Sequence, residues 1–586
     1  MEKFILKSNE NRSFTFREGA ALIRSNETGN LRIDVDYSAA FGGGERYHTV
    51  NLKGHRINIE VEEKFCEQFD KSYCPIPFFL TDNGFGLYAD TGHPINFAFE
   101  DDFILVDLPL GTEITLFSGT TAEIISDYMS LFGQPVSPPE YTFLPWISAN
   151  HWDTQEKVEQ QIELLKRYDF PAGVVVLEAW SDEATFYIFN GAKYTAKSEG
   201  YLTYEDFSFP EDGPWSNPKA MIEKLHEAGL KVMLWQIPVY KKQEASETIS
   251  SQNEIDRQKS VKNGFCVHQE NGAPYTIPTG NWFAGSMIPD FTNEVTKKDW
   301  FAKRQYLLDI GIDGFKTDGG EFIYRDDLLF SNGMTGSEMK NRYPQSYTAA
   351  YTEFLSENHI LFSRAGFSGQ HMTPILWAGD QKSTFSELRS QLRAGLSAAM
   401  SGIVFWGYDI GGFAGPIPNS DLYLRATQMA TFCPVMQWHS EPDGGQFSAI
   451  MASEDLENER SPWNIAKRSG DEKLLERTHF YHKLREKLLS HIVSEAQKSV
   501  ENNRPLMVPL AYDYMNDKIT HNMTDEFIFA SNFLVAPIIT ANTSGRDVYL
   551  PEGHWENYWT KEKFDGKQWV HFEHEWHIPV YQKVAG

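Results

Sequence analysis

The sequence predicts an α/β protein in which a (β/α)8 TIM barrel is flanked by an N-terminal β-sandwich-like domain and a short C-terminal β domain. The first observation is length, since 586 residues exceed what one hydrophobic core accommodates. The second is that eight apolar runs alternate with helical stretches through the middle of the chain. The third is that β-like runs without intervening helices occupy both ends.

Residues 1–135 are predicted to form the N-terminal domain. Short β-like runs, such as residues 31–36 and 57–61, are separated by Gly, Asn and Asp turns, which is typical of an antiparallel sheet. Residues 41–47 read Phe-Gly-Gly-Gly-Glu-Arg-Tyr, but no helix with a phosphate-binding Lys-Ser/Thr pair follows them. We therefore interpret this glycine-rich segment as a turn between strands. Prolines between residues 135 and 139 mark the end of the domain.

Residues 136–495 are predicted to form the barrel, because a closed parallel barrel requires eight strands. The helix predicted for residues 154–168 places Val158, Ile162 and Leu165 on one apolar face. An insert near residues 241–297 is longer than an ordinary βα loop, and such inserts often cover an active site. The eight apolar runs are residues 144–148, 173–180, 230–238, 312–318, 360–365, 375–380, 403–409 and 434–439.

Residues 496–586 are predicted to form the C-terminal β domain. A helical stretch at residues 474–495 precedes them. The β-like runs then return at residues 526–530, 533–539 and 546–550. No internal repeat or low-complexity tract interrupts this order.

Charge and composition exclude several classes of function. A formal net charge of −28 disfavours binding to nucleic acid or to an anionic membrane, so we expect a neutral small-molecule partner. The N-terminus lacks an apolar signal region, and no stretch approaches about 20 apolar residues, which predicts a cytoplasmic protein. The four cysteines have neither CxxC nor Cys/His spacing, so no disulfide framework and no metal site are predicted. Homo-oligomerisation stays open.

Two aspartates, Asp318 and Asp380, each end one of the apolar runs. The carboxyl ends of barrel strands are where catalytic groups collect. A pair of carboxylates at this edge suits glycosidic bond cleavage, in which one stabilises the developing oxocarbenium ion and the other transfers a proton to the leaving group. The alternative is structural, because Asp318 precedes a Gly-Gly turn and Asp380 precedes a helix that it could cap.

An ordered series of motifs resembles glycoside hydrolase family 31, a family of retaining α-glucosidases and α-xylosidases, over most of the chain. Residues 41–47 are similar to its G-x-G-E-R-F turn, and residues 315–321 to its K-T-D-F-G-E segment. The segments Ser-Arg-Ala-Gly, Trp-Ala-Gly-Asp-Gln, Trp-Gly-Tyr-Asp-Ile-Gly-Gly-Phe and His-Ser follow in the family order. Motifs between residues 504 and 555 resemble its C-terminal β domain. One such motif would be weak, but the series is specific.

The resemblance implies an activity and roles for the two aspartates. It implies a retaining, exo-acting α-glycosidase that hydrolyses a small α-linked glycoside or oligosaccharide by double displacement, without cofactor or metal. Asp318 would be the nucleophile. Asp380 would be the general acid/base, with a pKa raised by burial beside Trp377 and by the charge of Asp318. A transglycosylase using the same site, or an inactive sugar-binding protein, remains an alternative.

Seven further residues are candidates for binding the substrate. Lys316 lies two residues before Asp318 and therefore faces the same side of the strand. The guanidinium of Arg364 could bind a sugar hydroxyl or orient a carboxylate, although a structural ion pair is the alternative. For the acidic residues, the histidine and the tryptophans, a structural role or core packing is the alternative. The full set is Glu178, Trp235, Asp290, Lys316, Arg364, Trp377 and His439, with Trp146 as a further wall residue and Asp409 as a supporting carboxylate.

Two positions depart from the family pattern. Gly319 replaces the Phe of K-T-D-F-G-E. Glu178 stands at the end of the second predicted strand, where relatives usually carry aspartate. Both lie near the expected sugar site, so the sequence leaves the glycone open among glucose, xylose, galactose and modified sugars.

Overall fold

The computed structural model describes residues 1–17, 19–244, 247, 249–441 and 458–585. Residues 245, 246 and 248 of the predicted insert therefore lie outside the described residues. The architecture confirms the predicted fold class of a parallel eight-stranded barrel between two β-rich parts. The predicted domain boundaries stay predictions.

Two antiparallel sheets face each other at the N-terminus and form what we call the N-terminal sandwich. One sheet has the order β1-β11-β8-β7-β5 and the other the order β2-β3-β4-β10-β9-β6. Aromatic side chains fill the space between them, with the ring of Phe79 5.3 Å from that of Phe97 and 5.2 Å from that of Phe99. The strands are β1 (Glu2–Ile5), β2 (Asn11–Phe16), β3 (Gly19–Ser25), β4 (Leu31–Asp34), β5 (Ala40–Gly44), β6 (Arg56–Ile59), β7 (Pro75–Thr81), β8 (Phe85–Asp90), β9 (Ile95–Phe99), β10 (Phe103–Asp107) and β11 (Glu113–Ser118).

Each of the eight predicted apolar runs contains one barrel strand. The strands pair in parallel in chain order, and the first also pairs with the last. A parallel bridge between Asp409 and Gln437 joins the seventh strand to the eighth, with a 2.9 Å hydrogen bond from the Ile410 amide to the Gln437 carbonyl. The ring is therefore closed. The strands are β12 (Trp146–Ser148), β13 (Val174–Leu177), β14 (Lys231–Gln236), β16 (Gly314–Thr317), β18 (Ile360–Ser363), β19 (Ile375–Trp377), β20 (Trp406–Gly407) and β21 (Gln437–Trp438).

Helices cover the outside of the barrel. The predicted helix after the first strand is α2, and Val158, Ile162 and Leu165 form its buried face as expected. The barrel strand β13 reads Val-Val-Val-Leu and is buried throughout, as parallel strands covered on both faces are. The helices are α1 (Thr121–Met129), α2 (Gln155–Tyr168), α3 (Pro218–Glu227), α4 (Ser251–Asn263), α5 (Glu294–Ala302), α6 (Gln305–Asp309), α7 (Gly336–Met339), α8 (Arg342–Phe354), α9 (Phe385–Ala399), α10 (Ser420–Thr431), α11 (Pro462–Ser469), α12 (Glu472–Glu501) and α13 (Leu510–Asp513).

The C-terminal part is a six-stranded sheet with the order β22-β23-β24-β29-β26-β27, beside a two-stranded ribbon of β25 and β28. In the insert, β15 (His268–Gln269) pairs with β17 (Leu328–Leu329) of the loop after the fourth barrel strand. The C-terminal strands are β22 (Met507–Pro509), β23 (Phe527–Phe529), β24 (Phe533–Val535), β25 (Gly545–Leu550), β26 (His554–Asn557), β27 (Lys563–Asp565), β28 (Gln568–Glu573) and β29 (Val580–Val584). Within the described ranges, no helix has both the length and the apolar character needed to cross a bilayer.

Candidate active site

Asp318 follows β16 at the carboxyl edge of the barrel, and donors occupy both of its carboxylate oxygens. The indole Nε1 of Trp235 donates to Oδ2 at 2.9 Å. The amide of Gly319 donates to Oδ1 at 2.8 Å, and Nε of Arg364 lies 3.2 Å from the same oxygen. These contacts fix the carboxylate in one orientation, while 13% of the side chain stays exposed. The carboxylate is therefore accessible from outside the protein.

Asp380 lies three residues beyond β19 and faces the same arginine. Its Oδ2 is 3.7 Å from Nη1 of Arg364, and 16% of its side chain is exposed. Burial raises the pKa of Asp380 well above its ordinary value, and the charge of Asp318 raises it further, whereas Arg364 and Lys316 oppose this rise. A carboxyl group whose pKa is raised in this way is suited to carry a proton for acid/base work.

Arg364 follows β18 and links both aspartates to a third carboxylate. Its Nε and Nη2 lie 3.1 and 3.2 Å from the two carboxylate oxygens of Glu321, which is a bidentate pair. Its guanidinium also lies 4.6 Å from the ring centre of Tyr73 and 5.4 Å from that of Trp282. Because the arginine is almost fully buried, these contacts hold its fork in one plane.

Glu178, Lys316 and His439 form a second charged group. Nζ of Lys316 lies 2.5 Å from Oε1 of Glu178, and Nε2 of His439 lies 3.1 Å from the same oxygen. Burial alone would raise the pKa of Glu178, but the charges of Lys316 and His439 lower it to about 2. Nζ of Lys316 also lies 4.6 Å from the ring centre of Trp377. Three predicted binding residues thus lie together, and one of them, Lys316, contacts the predicted wall residue Trp377.

Several buried polar atoms in this region have no protein partner among the described residues. They are Nε1 of Trp377, Nδ1 of His439 and Oδ2 of Asp409. The other oxygen of Asp409 accepts a 2.7 Å hydrogen bond from Gln437. Since buried polar groups are normally satisfied, these free donors and acceptors are suited to the hydroxyl groups of a sugar.

Asp290 and Trp146 have other surroundings. The carboxylate of Asp290 accepts hydrogen bonds from the amide and hydroxyl of Thr292, at 3.0 and 2.6 Å, and from the amide of Ser331 at 2.7 Å. It has no contact with the other candidate residues in the part of the chain described, and its role in binding stays a prediction. Trp146 is fully buried and packs on Phe362, with ring centres 5.1 Å apart, so it is a core residue.

The structure adds residues that the sequence did not reveal. The insert supplies Trp282, whose ring lies 6.3 Å from that of Trp235, and the insert therefore reaches the site as predicted. The N-terminal sandwich supplies Gln68 and Tyr73. The sequence places Glu321 at the end of the segment similar to K-T-D-F-G-E but assigns it no role. Its pairing with Arg364 depends on two different strand ends, and no spacing in the sequence indicates it.

Gly319 is required by the local backbone. Its φ is +70°, and a Cβ atom there would lie 2.5 Å from Cδ1 of Ile237 and 2.9 Å from Cζ of Phe322. The departure from the family motif is therefore matched by the surrounding packing. Among all residues that the structure describes, the site included, no group of three or more His, Cys, Asp or Glu side chains is arranged to hold a metal ion.

A closed barrel with two carboxylates around one arginine at its carboxyl edge defines a sugar-cleaving type of site. The chain belongs to glycoside hydrolase family 31: the model of the family's TIM-barrel domain matches residues 135–495. The model of its C-terminal domain matches residues 503–585, and that of its N-terminal galactose mutarotase-like domain matches residues 5–97.

Similar proteins include enzymes named for α-linked glucans. The chain is 38% identical over 534 residues to an isomaltosyltransferase of Sporosarcina globispora, covering 89% of this chain and 48% of that protein. It is 34% identical over 551 residues to a 1,3-alpha-isomaltosidase of Kribbella flavida, covering 91% and 74%. A cycloalternan-forming enzyme from Listeria monocytogenes, solved with a pentasaccharide substrate, superposes with a TM-score of 0.91 at 33% identity, covering 100% and 59%. The chain thus spans only about half the length of the isomaltosyltransferase.

Substituting Gly319 by alanine tests whether this site tolerates a side chain. We expect Gly319→Ala to destabilise the protein by about 1–3 kcal/mol, since strain at positive φ adds to overlap with Ile237. Gly229→Ala is the control, because φ is +83° there and no heavy atom lies within 4 Å of the added Cβ. The thermal unfolding midpoint should fall further for Gly319→Ala. Equal shifts for both variants would show that steric overlap contributes nothing.

The Glu178 pair predicts a stability change at acid pH. The pKa of Glu178 falls from 4.5 to about 2 on folding, so its contribution is present above pH 4.5 and is lost as pH falls toward 2. We expect the unfolding midpoint of Glu178→Gln to depend less on pH in this window than that of the unaltered protein. The comparison uses thermal unfolding from about pH 2 to 6, and parallel curves for the two proteins would refute the assignment.

Proposed function

We propose that the protein is a retaining, exo-acting α-glycosidase that releases an isomaltosyl unit from an α-linked gluco-oligosaccharide. The observation that carries the proposal is the contact of Arg364 with both Asp318 and Asp380, at 3.2 and 3.7 Å. One guanidinium shared by two carboxylates keeps them close together on the same face of the barrel. Retaining enzymes need this closeness, since their carboxyl groups stand roughly 5–5.5 Å apart.

The first half of the reaction forms a covalent intermediate. A carboxylate oxygen of Asp318 attacks the anomeric carbon while the bond from that carbon to the glycosidic oxygen breaks. Asp380 gives its proton to this oxygen, and the leaving-group sugar departs with that oxygen as a hydroxyl group. Arg364 and the indole of Trp235 keep Asp318 aimed at the carbon. The product is a glycosyl ester on Asp318 and an ionised Asp380.

The second half restores the enzyme. Asp380 now takes a proton from water, and the water oxygen attacks the anomeric carbon from the side that the leaving group vacated. The ester bond to Asp318 breaks and returns the electron pair to the carboxylate. Two inversions give a product with the α configuration of the substrate.

The names of two relatives and the polar residues at the bottom of the site support the proposed glycone. The isomaltosyltransferase and the 1,3-alpha-isomaltosidase are both named for a glucose disaccharide unit. In this chain the ion pair of Glu178 and Lys316, with the ring of His439 beside it, offers hydrogen-bond acceptors and donors to hydroxyl groups of the sugar that reacts. This supports a glucose ring at the reacting position.

Transglycosylation is a second candidate, favoured by the 38% identity with the isomaltosyltransferase. A sugar hydroxyl would then replace water in the second half of the reaction, with the same residues acting. A third alternative, an inactive sugar-binding protein, is disfavoured because Asp318 and Asp380 are both present and both contact Arg364.

Product analysis tests the activity and the acceptor together. The substrate is a linear gluco-oligosaccharide that carries an isomaltosyl unit at its non-reducing end in α-1,3 linkage, the linkage for which the 1,3-alpha-isomaltosidase is named. We expect isomaltose, released first as the α anomer in NMR spectra, because two displacements retain configuration. Products larger than the substrate would identify a transferase. Asp318→Ala should lower turnover at least about 10³-fold because it removes the nucleophile. Release of a β product, or unchanged turnover by Asp318→Ala, would refute the mechanism.

The pH dependence of kcat/KM tests the role of Asp380. Because Asp380 must carry its proton in the first step and its pKa is raised, activity should persist above the ordinary range of an aspartate and fall as pH rises through that raised pKa. The measurement is a pH profile with a methyl α-glycoside. With an α-glycosyl fluoride, whose leaving group needs no proton, Asp380→Ala should lack this basic limb. A basic limb that survives in Asp380→Ala would assign the proton to another group.

A further inference from the structure

We propose that three side chains of the N-terminal sandwich, Tyr47, Gln68 and Tyr73, position the acid/base segment of the barrel, residues 378–380. This inference rests on the proposed function, because it takes Asp380 as the proton donor. It gives the sandwich a part in the chemistry of the reaction, acting through the backbone that carries Asp380. The three side chains are positioning residues and do not themselves reach the reacting atoms.

Each of the three contacts a different residue of the segment. The hydroxyl of Tyr47 donates to the carbonyl of Ala378 at 3.0 Å. Nε2 of Gln68 donates to the carbonyl of Asp380 at 2.9 Å. Between them lies Gly379, with φ at +69°, where a Cβ atom would come within 2.3 Å of the ring of Tyr73. Only glycine allows this close approach, so the ring fixes the segment from the side.

The ring of Tyr73 also connects the segment to Arg364. The guanidinium lies 4.6 Å from the ring centre, within the range of a cation–π contact. The hydroxyl of Tyr73 donates to the carbonyl of Lys64 at 2.5 Å, and Gln68 contacts the same carbonyl at 3.2 Å. The two side chains therefore brace each other while one faces the arginine and the other faces Asp380.

The hydroxyl of Tyr47 lies between the carboxyl group of Glu45 and the carbonyl of Ala378. The Tyr47 hydroxyl has one proton and two oxygen neighbours, the Ala378 carbonyl at 3.0 Å and Oε2 of Glu45 at 2.9 Å. Oε1 of Glu45 accepts from the indole of Trp406 at 2.7 Å. Burial raises the pKa of Glu45 to about 7, and the hydrogen bonds from Trp406 and Tyr47 oppose this rise. The single proton of Tyr47 is therefore shared between the Glu45 carboxylate and the Ala378 carbonyl. Glu45 and Tyr47 both follow β5 (Ala40–Gly44), so the interpretation of the whole glycine-rich segment as a turn was wrong for residues 41–44, which form a strand.

The loop that carries Gln68 adopts a costly backbone conformation. Cys66, Glu67 and Phe69 have φ of +55°, +47° and +52°, a region that residues other than glycine seldom adopt. Contacts to the barrel hold it there. The amide of Glu67 donates to Glu387 at 3.1 Å, and Lys382 donates to the carboxylate of Glu67 at 2.8 Å. Both contacts are made with residues that follow Asp380 in the chain. The loop thus keeps its strained conformation, in which Gln68 reaches the carbonyl of Asp380.

Proton transfer is sensitive to such positioning. A general acid typically contributes about 10²–10⁴-fold, and a small displacement forfeits part of this. The loss should appear only when the leaving group needs a proton. An α-glycosyl fluoride expels fluoride unaided, whereas a methyl α-glycoside must have its oxygen protonated.

The experiment compares kcat/KM on these two donors, which share the glycone that the unaltered protein accepts. We expect Gln68→Ala and Tyr47→Phe to lose about tenfold or more on the methyl glycoside and less than about twofold on the fluoride. Gln68→Met keeps the side-chain length and should match Gln68→Ala, because the missing feature is the donor. Lys71→Ala is the control, since Lys71 lies on the same loop and its ammonium pairs with Glu62, at 2.6 Å; it should change neither value.

Asp380→Ala serves as the reference, and it separates the two proposals. If it shows no selective loss on the methyl glycoside, or if the unaltered protein turns over neither donor, the proposed function fails and this inference fails with it. If Asp380→Ala shows the selective loss, but the Gln68 and Tyr47 variants lose equally on both donors or on neither, only the positioning role is overturned. Circular dichroism and the unfolding midpoint identify a variant that does not fold, and Tyr47→Phe, which deletes a single oxygen, then decides.

Discussion

The site depends on one buried guanidinium, that of Arg364. A buried cation is costly unless it is paired, and here Glu321 pairs with it through two hydrogen bonds. Asp318 lies near the same Nε, and Asp380 lies near Nη1. The pairing sets the plane of the guanidinium. That plane in turn sets where two carboxylates from different strands can lie without repelling each other.

The pKa values of two carboxyl groups in the site are shifted in opposite directions: that of Glu178 is lowered and that of Asp380 is raised. Both are withdrawn from water, which raises the pKa of either. Glu178 has Lys316 in direct contact, so its pKa falls to about 2. Asp380 has its arginine farther away and a negative neighbour, so its pKa stays raised. Distance to the nearest cation thus separates a permanently ionised group from one able to carry a proton.

The sequence predicted the parts of this site that follow from strand order. Asp318, Arg364, Asp380 and His439 follow four strands of a parallel barrel, and the ends of such strands meet at one edge. It overestimated strand lengths, as in residues 173–180 against β13 (Val174–Leu177), because buried loops at the edge are as apolar as strands. It gave no sign of Gln68, which meets Asp380 across 312 residues and has neither charge nor periodicity to indicate the contact.

The barrel alone therefore does not fix the position of Asp380. Residues 378–380 leave β19 without helical structure, and the carbonyls of Ala378 and Asp380 point to donors outside the barrel. A glycine at the centre of this segment permits a close tyrosine ring but leaves the backbone free to move when the ring is absent. The backbone at Gly379 is flexible by itself, and the contacts from the N-terminal sandwich restrain it. The sandwich therefore determines the geometry of the site together with the barrel strands.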